Sequence, residues 1–573
     1  MTSSRFIHAL RWFAATLCVA LAAGCGGGGG SGDADTPPPG GRLGSLTLGL
    51  AGGAPAGYRH VWVTIDAVAL HADANRAWSP GDASWQVLRL PAPRTIDLTT
   101  SINGVISPLL AGRTLAAGSY VQLRLFVRRH DDLLADSARA LQLGRNAQVD
   151  HVDAAGTLRE VPLEFTDNEQ GLRVAGPIVV GADAATDITL QWDLERSLVR
   201  FAADDGIDRV TMRPDLRWYD IAQTGAIIGL VDKSLFCDAG APSPCIADVV
   251  ATALLPSADG RLKTSVRSTP VIVGDQHAAF ALYPLPALPS GGTVDVMIRG
   301  RNMRTMIVRN VPASAADLLA ANPTQLGVDT SGAGPVAAPL VPALSDAGDG
   351  HASLAAAASP KSAQLLFAQT VGAGELPHEL VAANTDPFSG LLARPVALPS
   401  GALRVADYTS SGLLSFAAVT PQEGTDGFSV MTLGTRYDKP SAWASISAPG
   451  GGSVSFTALP APRRGDVGSG TLTVNLSSGS TASIDAAQLV VSGAGGIVAT
   501  QDISALIGVA GAQAMLQLPA GTQAASLGAT AVYAVSVRAW QRAAPAGSVV
   551  WARAPTVADL RDAGPAAVAI TLP

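Results

Sequence analysis

VWVTIDAVAL, residues 61–70, decides the fold class of this chain. Val61, Val63 and Ile65 point one way along an extended backbone and Trp62, Thr64 and Asp66 the other, because successive side chains of a strand alternate across the sheet. VQLRLFVRR (121–129) repeats the pattern, with Val121, Leu123, Leu125 and Val127 opposing Gln122, Arg124 and Arg128. VDVMIRGR (294–301) and YAVSVRAW (533–540) repeat it again. Period-two stretches punctuated by Gly, Pro, Asn and Asp mark half-buried strands of antiparallel sheets. Helical periodicity is scarce. SAADLLAANP (314–323) is the best candidate, with Ser314 as a cap and Asp317 at the capping-box position. The expected class is all-β, built as tandem antiparallel β-sandwich domains.

The N-terminus carries an address. MTSSRFIHALR holds Arg5 and Arg11 and no acid, and Trp12 to Ala22 is almost wholly apolar. A basic start, a short apolar run and small residues after it describe an export signal. The run is too short to cross a bilayer, which takes about 20 apolar residues. Two cleavage readings stay open. Signal peptidase could cut after Ala20-Leu21-Ala22, whereas Leu21-Ala22-Ala23-Gly24-Cys25 resembles a bacterial lipobox, with Ala22 where Leu is usual. The lipobox reading implies that Cys25 receives a diacylglyceryl group and becomes the first residue, anchoring the chain to a membrane. Gly26, rather than Asp, follows Cys25, which directs the expectation to the outer membrane. Residues 1–24 are then the signal peptide. Residues 25–42, rich in Gly and Pro, are a tether with no apolar face to pack and a reach of roughly 20–25 Å.

Composition bounds the rest. About 550 residues remain after the signal, enough for three or four domains. Hydrophobic residues make up 47% against 15% charged, so core material is ample. A net charge of −7 offers no basic face, which excludes nucleic acid as a partner. Strand signals divide the chain into β-rich blocks at 43–220, 221–318, 363–457 and 458–573. Residues 319–362, rich in Ala, Pro and Gly and without periodicity, read as a linker. Cys237 and Cys245, in FCDAGAPSPC, are separated by a Pro/Gly-rich loop. In an exported chain that arrangement predicts a disulfide.

A distant echo runs through the sequence. GSLTLGL at 44 returns as GTLTVNL at 470. IDLTTSING and LAAGSYVQLRL follow the first, and QDISALIG and LPAGTQAA…YAVSVRAW the second, in the same order. Each element is a common strand or turn, so duplication and convergent β patterning both stay open.

Residues 44–217 resemble the bacterial domain-of-unknown-function family 4382, found in lipoproteins and other exported proteins. The stretches that carry the resemblance are GSLTL, GYRHVWVTIDAVALH (57–71), IDL (96–98) with NG (103–104), LAAGSYVQLRL (115–125), LQWDLERSL (190–198) and MRPDLR (212–217). The family usually opens with an Asp before Ala-Pro, where this chain has Gly53. The resemblance implies a β-sandwich and an exported, often lipid-anchored product, and it transfers no catalytic residue. The block at 221–318 is similar to transthyretin-like β-sandwich modules through GAIIGLV, ALYPLPALPSGGTVDVMIRG and TMIVRNVP.

Reaction chemistry leaves little trace. HExxH, GxSxG and GxxxxGK(S/T) do not occur, nor does GxGxxG between strand and helix. The eight histidines are scattered, and the family resemblance places His71 at a sheet rim, which implies a hydrogen-bonded structural role. Asp131 and Asp132 fit a solvated hairpin tip. Asp346 and Asp349 lack the regular acidic spacing of a calcium loop. Trp192-Asp193 fits a buried indole beside an acid that fixes a turn. No catalytic, metal or cofactor residue is assigned, and the chain is not expected to be an enzyme. The expectation is a lipid-anchored envelope protein with an adhesion or scaffold role and an unidentified protein or glycan partner. The alternatives are a binder of glycan, peptide or small ligand, and a hydrolase whose site is assembled from distant loops.

Overall fold

The alternating stretch lies in a 14-residue strand, Tyr58–His71, with Val61, Val63 and Ile65 buried. The pairing is irregular between Ile65 and Ala67, and beyond it Val68 and Leu70 take over the core positions. One inserted residue switches the face that alternate side chains occupy, as a bulge does. The computed structural model describes residues 41–572 apart from 56, 153–156, 166–169, 203–207, 314–322, 355–362, 387–391, 393–395, 412, 435–442, 448–452, 455–468, 479–483, 494–495, 522–530, 541–549 and 563. Cys25, the signal segment and the 314–323 helix (save Pro323) therefore lie outside the described residues. The fold is all-β.

The first body holds β1 (Leu43–Ala51), β2 (Tyr58–His71), β3 (Gln86–Asp97), β4 (Ser107–Ala116), β5 (Gly118–Val127), β6 (Ala147–Val152), β7 (Leu158–Phe165), β8 (Leu172–Val180), β9 (Ala185–Trp192), β10 (Leu198–Ala202), β11 (Asp208–Met212) and β12 (Leu216–Asp220). Two short helices, α1 (Asp136–Ala140) and α2 (Leu194–Ser197), interrupt them. One sheet runs β12-β9-β1-β4 and the other β10-β11-β7-β6-β2-β5-β8, with β3 beside β2. Their inner faces share a core of Leu46, Leu48, Val61, Leu123, Leu190 and Trp192 among others. The sheets are mixed rather than purely antiparallel, since β1 runs parallel to β9 and β7 parallel to β11.

The second body holds β13 (Ile227–Val231), β14 (Ala247–Pro256), β15 (Lys263–Pro270), β16 (Ile272–Val273), β17 (Ala278–Leu282), β18 (Thr293–Arg301), β19 (Met306–Pro312), β20 (Thr324–Leu326), β21 (Val328–Asp329), β22 (Val336–Ala337), β23 (Asp349–Leu354), β24 (Ala363–Gln369), β25 (His378–Asn384), β26 (Val396–Pro399), β27 (Leu403–Asp407), β28 (Ala417–Val419), β29 (Gly427–Gly434), β30 (Ala444–Ser447) and β31 (Ser453–Val454). Here the boundaries read from composition need correction. A ten-stranded sheet, β28-β27-β19-β18-β14-β15-β25-β24-β29-β30, joins the 221–318 and 363–457 blocks into one body. The described part of the supposed linker 319–362 is built into it. β20 runs parallel to β13, Leu340 bridges Val231, and β23 pairs with β26. These segments escaped notice because pieces of two to six residues are too short to show a period, and backbone groups hold them. Asp346 pairs with Arg304, and the Asp349 carboxylate accepts the Asn302 amide at 3.0 Å. Cys237 and Cys245 form a disulfide.

The third body holds β32 (Ser469–Ser478), β33 (Ala486–Gly493), β34 (Gly496–Asp502), β35 (Gln513–Pro519), β36 (Val532–Trp540), β37 (Val550–Arg553), β38 (Ala558–Asp559) and β39 (Ala566–Leu572). Seven of its strands repeat the arrangement of seven strands of the first body. β35-β32-β39 matches β4-β1-β9, parallel pair included, and β34-β33-β36-β37 matches β3-β2-β5-β8. Details recur in register. The Tyr120 hydroxyl donates to the Ala116 carbonyl at 2.6 Å, and the Tyr533 hydroxyl to the Pro519 carbonyl at 2.7 Å. Asp97 accepts from the Thr99 amide and hydroxyl, and Asp502 likewise from Ser504. Leu98 N–H donates to Val61 O, and Ile503 N–H to Ala487 O. The echo in the sequence is thus a repeat of topology, corner tyrosine and capped turn.

Gly44 and Gly470 occupy equivalent places with unequal room. A Cβ on Gly44 would stand 2.2 Å from the Gly181 carbonyl oxygen, whereas on Gly470 it would meet nothing closer than 3.0 Å. Gly44→Ala should therefore cost about 3 kcal/mol and Gly470→Ala about 1 or less. Hydrogen exchange of peptides from β1 and β32 checks this, and equal losses would contradict it.

Candidate functional site at the domain junction

The turn after β9 places the chemistry. Asp193 caps α2 by accepting the Arg196 amide at 3.2 Å, and Trp192 before it is fully buried. This matches the reading of an indole beside a turn-fixing acid. That reading missed the residue three places on. Arg196, 4% exposed, reaches out of the first body into the second. Its guanidinium donates to Gln364 Oε1 and Thr264 Oγ1 at 3.0 Å and to both oxygens of buried Glu379. Glu379 also accepts from Thr264 Oγ1 at 2.6 Å and the Ser265 amide at 3.2 Å. Asn384 Nδ2 closes the ring on the Arg196 carbonyl at 2.6 Å. HELVAAN offered one signal: an acid beside the apolar run Leu380–Ala383 is expected to need a partner once that run is buried.

Around this pair β12 and two loops of the first body bond to β15 and its surroundings. Arg217 donates to the Ser265 carbonyl at 2.6 Å and the Tyr219 hydroxyl to the Val266 carbonyl at 2.8 Å. Asn103, in the left-handed conformation that suits asparagine, donates its amide to Thr269 Oγ1 and accepts from Ala281 N–H. Arg267, fully buried, reaches the Gly52 carbonyl at 3.2 Å. Burial pushes the Asp193 carboxyl up to about 6, with Arg196 opposing and Asp215 adding to the rise. Burial alone would lower Arg196, but Glu379 and the two aspartates more than reverse it. The charges hold one another as a clamp between the two bodies.

A second buried cluster sits along the seam of the large sheet. Asp295 accepts from His378 Nε2 at 2.8 Å, from Lys263 Nζ and from the Asn310 amide. A cleft of about 120 Å³ lies by the junction, lined by Glu195, Asp248 and Arg301 as well as Leu380, Val396 and Leu398. Its size suits one small group. The opposite sheet of the first body carries His60, whose Nδ1 lies 2.6 Å from buried Asp97 and whose ring stacks on Trp62. The repeat has Asp502 in that place without a histidine, so the aspartate serves the turn in both bodies. His71 hydrogen-bonds Asp73 and Ser84 at the rim, as read from the sequence, and Asp131 pairs with Arg129. Among the described residues no three His, Cys, Asp or Glu side chains are placed to hold a metal. No helix among them is long and apolar enough to cross a membrane.

Comparison with known proteins covers part of the chain. Residues 44–214 match the family described as "Domain of unknown function (DUF4382)". No curated protein matches. Among solved structures the Bacillus anthracis TIE protein is similar at 9% identity, over 95% of this chain and 76% of its own, with a TM-score of 0.14. A likeness at that score carries no argument about fold or function.

Two consequences are measurable. Glu379→Ala takes from the buried Arg196 its closest carboxylate, leaving Asp193 at 3.5 Å and Asp215 at 3.9 Å, and should cost about 3 kcal/mol. Arg196→Met with Glu379→Leu should recover most of it. Urea unfolding compares the two, and equal losses would contradict the clamp. Burial raises Asp295, yet hydrogen bonds from His378, Lys263 and Asn310 outweigh it and hold the carboxyl at about 2, below the ordinary 3.8. The stability it adds is complete above pH 3.8 and lost as pH falls towards 2. Asp295→Asn should flatten the acid limb of the stability profile in that window, and an unchanged limb would contradict the assignment.

Proposed function

We propose that this chain is a lipid-anchored cell-envelope protein with a non-enzymatic adhesion or scaffold role, held at the outer membrane through Cys25. The first two bodies act as one rigid piece, which presents a partner surface. The observation that carries this reading is the junction. Arg196, Arg217, Tyr219 and Asn103 all spend their polar groups on holding the first body against the second. Domains joined only by linkers move freely, whereas a large buried interface fixes them. A rigid spacer transmits position and load, which suits adhesion or scaffolding. The basic, apolar and small-residue order before Cys25, and the Gly/Pro tether after it, support the anchor. Its partner would be a protein or glycan.

Fatty-acid labelling and fractionation test the anchor. The wild type should take label and sediment with outer-membrane markers, and Cys25→Ala should do neither. Equal labelling of both would refute it. A screen of residues 43–573 against glycans and matrix proteins tests the role, with binding and no turnover expected. Turnover of any captured ligand would overturn the non-enzymatic reading.

A further inference from the structure

The two copies of the sandwich differ at one edge. In the first body, β9 is flanked by β1 on one side and on the other by β12, antiparallel, from Leu216 opposite Trp192 to Asp220 opposite Ile188. The register of the repeat sets Val568, Ile570 and Leu572 of β39 where β9 has Ile188, Leu190 and Trp192. β39 keeps the inner neighbour, pairing parallel with β32 over seven residues without irregularity. Among the described residues no strand runs along its outer edge.

Prolines bound β39 on both sides, Pro565 before it and Pro573 after, but within its seven residues the edge lacks the usual safeguards. Natural sheets blunt open edges with proline, charge or bulges. In the first body β3 carries Pro91 and Pro93, β4 carries Pro108 and meets β1 with two irregularities, and β8 carries Pro177. β39, AAVAITL, has no proline and no charge, and its outward side chains are Ala567, Ala569 and Thr571, all small and exposed. Its backbone N–H and C=O groups along that side are therefore a template for one more strand.

We infer that β39 pairs with β39 of a second copy of this chain, making a continuous six-stranded sheet across a two-fold axis. The first body fixes the direction, because the strand it places at this edge is antiparallel, and a two-fold sets a strand antiparallel to its own image. A seven-residue strand pairs most fully when centred on its middle residue, so Ala569 faces Ala569 and Ala567 faces Thr571 of the partner chain. Uncharged small side chains allow that self-facing register, which like charges would oppose. The inference is independent of the anchor and of the scaffold reading.

The test is sedimentation of residues 41–573 over about a hundredfold range of micromolar concentration. The wild type should be a dimer that dissociates on dilution. Ala569→Lys should weaken dimerisation at least tenfold with an unchanged melting temperature, as should Ala569→Glu. An equimolar mixture of the two variants should restore the dimer, since opposite charges then face each other, and misfolding would not be rescued in that way. A wild type that stays monomeric, a dimer indifferent to either variant, or a mixture that fails to recover would overturn the proposal. A monomeric wild type that instead binds a synthetic peptide of residues 214–221, the β12 strand, would overturn it in favour of a foreign strand at the same edge.

Discussion

A guanidinium buried between two β-bodies needs a carboxylate, and Arg196 has Glu379. Taking either charge from water costs several kcal/mol, and only the pair with its surrounding hydrogen bonds offsets that cost. The geometry around it follows. Thr264, Gln364 and Asn384 must stand where they complete the ring, so β15, β24 and β25 are fixed against α2. The first sandwich cannot rotate on the second without leaving a buried charge alone.

Backbone pairing extends the same constraint through the second body. β19 runs parallel to β27, and β15 meets β25 through Lys263 and His378. What composition divides into two modules is therefore joined by one ten-stranded sheet, with strands of the supposed linker paired in smaller sheets beside it. Parallel neighbours cannot be joined by a tight hairpin, so the intervening chain has to cross over. Here the crossing segments are rich in Ala, Pro and Gly and resemble linkers only while their partners are unknown.

The repeat separates what the sandwich requires from what was added. Corner tyrosine, capped turn and parallel pair occur in both copies, so they serve the fold. His60 and the WDLER turn occur in the first copy, and β12 has no described counterpart beside β39. Arg196, Arg217 and Tyr219, which join the first body to the second, belong to the WDLER turn and β12.

By itself the sequence determined the class of structure, because period-two alternation in VWVTIDAVAL and VQLRLFVRR suits a strand and little else. It also determined the role of Trp192-Asp193 and the resemblance at 44–217, since a capped turn and an ordered set of short motifs are local. It pointed to Cys237 and Cys245 as neighbours for the same reason. Tertiary structure alone decided the partner of Arg196, 183 positions away, because an arginine in a turn looks like any solvated residue until the strand facing it is known. It decided too that 323–354 belongs to the fold, since short strands held by backbone groups leave no side-chain period to read. Local patterns depend on neighbours in the chain; junctions depend on which distant strands meet.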